Sequence, residues 1–406
     1  MYALTEILLT LILMVILLRK KVPVCYAILA SALLLFVLSG FVPSHFLEAL
    51  KSTFISWPTW NMVFTLYLVM CLEYLLRSSG ILKDFTNAAG TLFKDNRIVL
   101  GFMPAFLGFL PSLGGAIFSA PMVEEAAKPY NLSPERKTAI NYWFRHVWEF
   151  CNPILPSMLL AASLTAISLT DIIRHQFILS FVAIFIGAVV LLRGKDFHVE
   201  QAAKPAKVAE PAEKQSHKKA VILAIGPIVL NVFLVTVCGL NTTLSMGIVV
   251  VLLLLILKLR ASEIGDMLIK SFHWPITASV VSILFFQGML YSTGTIDTLI
   301  EFFQNSGISA STVVYLTAFF MGLLTGLPQG FAAVAFPLIV PLLHANLDGL
   351  TLTYICGLTG VMLSPAHLCI IVTSEYFHAG LFRSLKPVAL AQISLLIFTF
   401  LWIYLF

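Results

Sequence analysis

Three ionisable side chains fall within five residues of one another in the stretch NYWFRHVWEFCNPILPS (141–157): Arg145, His146 and Glu149. A guanidinium grips carboxylate or phosphate through paired N–H donors. Imidazole titrates near neutral pH, and a carboxylate can carry a proton. Arg145 and Glu149 are four apart, so on a continuous helix they share a face and can pair, with His146 one step round. Two readings follow. Either Arg145 attracts a substrate's negative charge while Glu149 or His146 carries a coupling proton, or Arg145 and Glu149 neutralise each other and brace the helix. The segment runs into Asn152-Pro153, a good N-cap followed by a residue suited to the first helical position. The same signal returns as Ser364-Pro365, where His367 falls on the first turn of the next half-helix and can donate a hydrogen bond. Glu73 is a further coupling candidate, and the corresponding residue of the second half is Gln287.

Such groups are scarce in this chain. Of its 406 residues 59% are hydrophobic and 11% charged, against about 25% charged in a soluble domain. Apolar runs at 2–18, 24–40, 176–192, 243–257 and 387–406 match or approach the length of a membrane span. The expected setting is therefore a lipid bilayer, and an ionisable group inside a span is a functional candidate by default. The net charge of +5 belongs to basic residues at the membrane edges and does not indicate nucleic acid. The six cysteines (25, 71, 151, 238, 356 and 369) stand singly without zinc or disulfide spacing and read as small core residues, with no metal site expected. No HExxH or paired-aspartate motif and no nucleophile spacing appears, which argues against an enzyme and against any cofactor.

The elements that position these groups repeat. A polar segment at 194–219, rich in Ala, Lys, Glu and Pro, divides the chain and reads as a solvated linker. LEALKSTFISWP (47–58) matches GDMLIKSFHWP (265–275), YLLRSSGIL (74–82) matches GMLYSTGTI (288–296), FLGFLPSLGG (106–115) matches FMGLLTGLPQG (320–330), and FCNPILPS (150–157) matches MLSPAHLC (362–369). The offset stays between 212 and 217 throughout, so the chain reads as two repeats, 1–193 and 220–406. Each holds two spans, a short amphipathic stretch and a third span. A polar arm follows (80–96; 294–307), then two short apolar pieces around a Gly/Pro tip (97–128; 308–343), a broken span (133–170; 349–380) and a last span. Pieces of 13–17 residues reach only about 20–25 Å, short of a core of roughly 30 Å, so each pair is expected to be a re-entrant hairpin. Five crossings per half would invert the second repeat. The basic residues agree: with an outside N-terminus, Lys51 and Arg174 lie outside, Arg145 lies within the membrane, and every other Lys and Arg lies inside. The C-terminus then also lies outside and the linker is cytoplasmic, in a multi-pass protein of the inner (plasma) membrane.

Inversion brings both tips and both breaks toward the midplane, where irregular backbone is tolerated only in protein or around a cavity. Gly114-Gly115 and Gln329-Gly330 precede the return arms, and Asn152 and Ser364 start the half-helices. Four helix starts offer unpaired N–H groups and positive dipole ends to an anion, while the carbonyl ends before them favour a small cation.

The segments GFLPSLGGAIFSAPMVEEAA, GLLTGLPQGFAAVAFPLIVPLL, FRHVWEFCNPILPS and MLSPAHLC resemble an uncharacterised family of prokaryotic membrane proteins. That family is grouped with the ion transporter superfamily, beside gluconate, lactate, citrate and C4-dicarboxylate carriers. The resemblance implies an all-α polytopic fold of two inverted five-helix repeats, a substrate site at hairpin tips and broken helices, proton or sodium coupling, and a homodimer working by an elevator motion. On this chain the substrate residues are then Ser112, Gly114, Gly115, Ser119, Asn152, Thr325, Gly326, Gln329, Gly330, Ser364, His367 and Arg145, with Glu149, His146 and Glu73 in coupling. The Ser-Asn-Thr tripeptides of the sodium-coupled dicarboxylate carriers are absent from both tips, which favours a monocarboxylate or sugar acid and H+ over Na+. The expectation is a secondary active transporter of a small organic anion. The alternatives are a sodium-coupled anion carrier and a passive anion channel.

Overall fold

The computed structural model describes residues 2–20, 22–81, 84–85, 95–109, 116–197, 211–307, 309–343 and 346–405. Among them there is no strand. The first half holds α1 (Tyr2–Arg19), α2 (Val24–Leu38), α3 (Pro43–Phe54), α4 (Trp57–Ser78), α5 (Asn96–Gly108), α6 (Ala116–Ala127), α7 (Pro134–Arg145), α8 (Pro156–Thr165) and α9 (Leu169–Leu191). The second holds α10 (Pro211–Thr236), α11 (Thr242–Leu257), α12 (Ala261–Lys270), α13 (Trp274–Ser292), α14 (Thr295–Ser306), α15 (Ala310–Thr325), α16 (Pro328–Leu343), α17 (Leu347–Leu363), α18 (Leu368–Tyr376) and α19 (Leu381–Leu405).

Local chemistry sets several starts. Asp95, Ser133, Asn241 and Asn346 each accept a hydrogen bond from a backbone N–H of the first turn of α5, α7, α11 and α17, satisfying donors that no helix can satisfy itself. Pro134 follows its cap at the first position, where its missing N–H costs nothing.

Among the described residues five stretches are long and apolar enough to cross a membrane: Thr59–Ser78, Leu169–Leu191, Lys219–Thr236, Leu347–Tyr376 and Leu381–Leu405. On α9 the exposed face carries Phe177, Phe181, Phe185 and Val189 at four-residue spacing, while Gln176, Ser180 and Ala183 are buried. A water-facing helix shows the opposite order. The chain is a polytopic membrane protein.

Two compact units share the chain. One comprises residues 1–67, 156–172 and 273–366, the other 68–155, 173–272 and 367–406. In the first, α13 packs on α2 and α3, and α15 on α17. Contact with α17 is close because Gly322 faces it: a Cβ there would stand 2.1 Å from the Gly357 carbonyl oxygen. In the second unit α7 packs on α5, α6, α18 and α19, and Trp143 Nε1 donates to the Ala183 carbonyl of α9 at 3.0 Å.

Some element limits differ from expectation. The last spans begin at Leu169 and Leu381, not 176 and 387, because Asp171, Arg174, Arg383 and Lys386 lie within the first two turns, whose polarity conceals them from a hydropathy reading. α10 extends back into the linker as far as Pro211, where Ala, Glu, Lys and Gln favour helix; linker residues 198–210 lie outside the described residues. The second polar arm is α14, whereas 82–83 and 86–94 of the first arm lie outside the described residues.

Candidate functional site

In the second unit α7 delivers its last residues to the break. The helix ends at Arg145, and 146–151 are turns. Arg145 and Glu149 therefore do not share a helix face, and the spacing argument for their pairing fails. Arg145, only 6% exposed, donates from Nη1 to the Leu107 carbonyl at 3.2 Å, near the end of α5. Gly108 makes this approach possible: a Cβ there would lie 2.1 Å from the Arg145 carbonyl oxygen.

Asn152 was expected to cap the next half-helix with Pro153 at its first position. Instead α8 starts at Pro156. The Asn152 carboxamide accepts from the Ile154 N–H at 3.2 Å, which closes a local turn, and donates to the Phe109 carbonyl at 2.9 Å. An Asn side chain bonded two residues ahead makes a turn that competes with helix.

His146 is buried, and its Nδ1 lies 2.7 Å from the Tyr142 carbonyl. A carbonyl only accepts, so Nδ1 carries the proton, and in the neutral tautomer the lone pair is at Nε2. That nitrogen lies 3.2 Å from Nε2 of His367. His367 occupies the N-cap position of α18, ahead of the first turn on which it was expected, and makes no capping bond. The Cys369 thiol, on the first turn of α18, lies with a ring nitrogen of each imidazole in a cluster of donor atoms within 4.8 Å of one another. Glu149 is 8% exposed, its Oε2 has no hydrogen-bond partner, and it interacts electrostatically with both histidines. Just above, the Asn141 amide donates to the Ala116 carbonyl at 3.3 Å and to Thr373 Oγ1 at 3.1 Å, joining α6, α7 and α18. Ser119, buried on α6, bonds the Ala116 carbonyl at 3.3 Å. The tip residues Ser112, Gly114 and Gly115 lie outside the described residues. Glu73 accepts from Arg77 at 2.5 Å, one helical turn on.

The first unit holds the second break. Ser364 follows α17 as its C-cap, not as the N-cap of α18. Its hydroxyl donates to the Leu323 carbonyl at 2.7 Å and accepts from the Ala366 N–H at 3.2 Å. At the tip, Thr325 ends α15 and Gly326 adopts φ +62°, a left-handed conformation natural to glycine. α16 starts at Pro328, so Gln329 and Gly330 lie within its first turn and do not precede it. Gly330 packs on Thr325, whose Cβ would be 2.9 Å from an added Cβ. A separate cavity of about 390 Å³ is lined by Glu48, Ser52, Thr59, Gln287, Tyr291 and other residues, none of them Lys or Arg. It does not suit an anion.

Sequence reasoning thus located the Arg/His/Glu cluster and both breaks but missed Cys369, Asn141 and Thr373. His367-Leu368-Cys369 beside a break was the available signal for the cysteine.

Comparison with curated proteins finds no match. A family model does match residues 3–205 and 268–405, most of the chain, and the chain therefore belongs to the family described as "Protein of unknown function (DUF401)".

Proposed function

We propose that this protein is a secondary active transporter of a small organic anion, a monocarboxylate or sugar acid, coupled to protons. One observation carries the reading: the same break station recurs in both halves. A side chain at the break (Asn152, Ser364) donates to a carbonyl at the end of the preceding hairpin helix (Phe109, Leu323) and accepts from the N–H two residues on. One residue before each of those carbonyls, a glycine (Gly108, Gly322) admits a backbone oxygen of the span that leads to the break (Arg145, Gly357). Every one of these pairs has an offset of 212 or 214, the spacing of the sequence repeat. Recurrent broken helices beside hairpins are how repeat-built carriers make an ion and substrate site.

The recurrence supports a twofold repeat; five crossings per repeat in inverted topology, a cytoplasmic linker, outside termini and an elevator motion of a homodimer are parts of the same proposal. Buried Arg145 supplies the positive charge for a carboxylate. Glu149, with an unpartnered carboxylate oxygen, is the proton carrier, and His146 positions it. Glu73 pairs with Arg77, and in this reading that pairing gives it a structural role.

Uptake of labelled monocarboxylates and sugar acids into proteoliposomes tests the reading. Arg145→Ala is expected to abolish uptake, and Glu149→Gln to leave exchange of substrate but no accumulation driven by a pH gradient. Flux that never rises above equilibrium in the unaltered protein would mark a channel and end the carrier reading.

A further inference from the structure

The pairing of His146 with His367 leaves a chemical question that transport of an anion does not answer. Two imidazoles from positions 221 residues apart meet through their Nε2 atoms at 3.2 Å, and a thiol lies beside them. The three donor atoms lie within 4.8 Å of one another. On a tetrahedral zinc ion with Zn–N of about 2.0–2.1 Å, two nitrogens stand roughly 3.3 Å apart, and sulfur at 2.3 Å stands about 3.5 Å from each. The nitrogens already have that separation, and the sulfur needs to close by at most about 1.3 Å.

The surroundings are those of a ligand set. His146 hands Nδ1–H to a backbone carbonyl at 2.7 Å, the outer bond that fixes a metal-binding imidazole in the tautomer with Nε2 free to coordinate. The Tyr142 ring lies 4.9 Å from the His146 ring and 5.3 Å from that of His367, holding both in place. Glu149 adds a buried carboxylate with an unpartnered oxygen. A thiolate and a carboxylate together balance a divalent cation where a net charge is costly. Nitrogen and sulfur donors suit zinc-like ions, whereas Na+, Mg2+ and Ca2+ require oxygen.

We infer that His146 Nε2, His367 Nε2 and Cys369 Sγ form a binding site for a thiophilic divalent metal ion, zinc in class, with Glu149 as the charge-balancing carboxylate. The ion joins the end of α7 to the start of α18.

The test uses full-length protein in detergent, stripped with a chelator, with no substrate and no vesicle. Titration with Co2+ should load one ion per chain, with the visible bands of tetrahedral cobalt and a sulfur-to-metal charge-transfer band. Zn2+ should displace it, and Mg2+ and Ca2+ should not. Cys369→Ser should remove the charge-transfer band and weaken binding by at least the ~10–100-fold that loss of an outer-shell partner costs; His146→Gln should weaken it likewise. No stoichiometric loading, or a spectrum unchanged in Cys369→Ser, overturns the site and leaves the two rings as a plain hydrogen-bonded pair. Should those variants not yield monodisperse protein, alkylation decides. In a Cys238→Ser background, which removes the exposed cysteine, Zn2+ should slow labelling of Cys369 at least tenfold, and an unchanged rate overturns the proposal. A chain that transports but binds no metal refutes this site alone, and one that binds metal but transports nothing refutes the carrier reading alone.

Discussion

Alanine at Gly108 or Gly322 probes the repeated packing most severely. An added Cβ would lie 2.1 Å from a backbone oxygen at either position: that of Arg145 against Gly108, that of Gly357 against Gly322. Non-bonded heavy atoms rest at roughly 3.5 Å, so the helix pair must part by on the order of 1 Å. The obstacle is main chain, and no rotamer change relieves it. A gap of that size forfeits a quarter to a half of the attraction across the contact. Overpacking of a tight interior costs about 1–3 kcal/mol, and a backbone collision belongs at the upper end, about a hundredfold in the folding equilibrium. Gly226 and Gly265 are the controls, each with nothing within 4 Å of an added Cβ. The assay is the fraction of monodisperse protein in detergent after heating through a temperature series. Gly108→Ala and Gly322→Ala should fall well below the unaltered protein, and Gly226→Ala and Gly265→Ala should match it. Should Gly322→Ala survive heating as well as Gly265→Ala, the close contact of α15 with α17 is refuted, and with it the equivalence of the two stations.

Other expectations follow from single contacts. Asn152→Ala and Ser364→Ala each strand a carbonyl in the interior, a loss of about 1–3 kcal/mol; both should lower thermal survival, Ser364→Ala being rescued by Thr. Glu73→Gln should keep pH-driven accumulation, because its partner Arg77 is half exposed and the pair is worth little; loss of coupling would return Glu73 to the mechanism. Micromolar Zn2+ should slow transport by the unaltered protein and not by Cys369→Ser, since an ion at the proposed site would engage His146 and Glu149, the groups assigned to coupling. A membrane-impermeant maleimide should label exposed Cys238 from the outer side of intact cells, as inverted topology requires, and labelling only after permeabilisation would reverse the topology.

The legible part of this structure was whatever depends on local pattern. Apolar runs gave the spans, amphipathic stretches gave α3, α12 and α14, and Gly and Pro marked the tip at 326–327 and both breaks. Limits were misplaced where one side chain overruled the nearest proline. Asn152 bonds forward to Ile154 and across to Phe109, so α8 waits until Pro156; Ser364 turns back to Leu323, so α18 waits until Leu368. Arg145 and Glu149 looked like a helical pair because spacing assumes a continuous helix, and the helix stops between them. The Nε2–Nε2 meeting of His146 with His367 and the nearness of Cys369 depend on α7 packing against α18. No local rule contains that contact, so a lone cysteine in an apolar run read as core.

Proton movement is the direct readout of coupled anion transport. Proteoliposomes carrying a lumenal pH dye, in sodium-free buffer, would receive monocarboxylates, sugar acids, dicarboxylates and inorganic oxyanions in turn. Lumenal acidification is expected with a monocarboxylate or sugar acid, absent from protein-free liposomes and from Arg145→Ala and Glu149→Gln. Silence across the panel, with uptake restored only by sodium, would contradict proton coupling. Silence in both conditions would contradict anion transport itself.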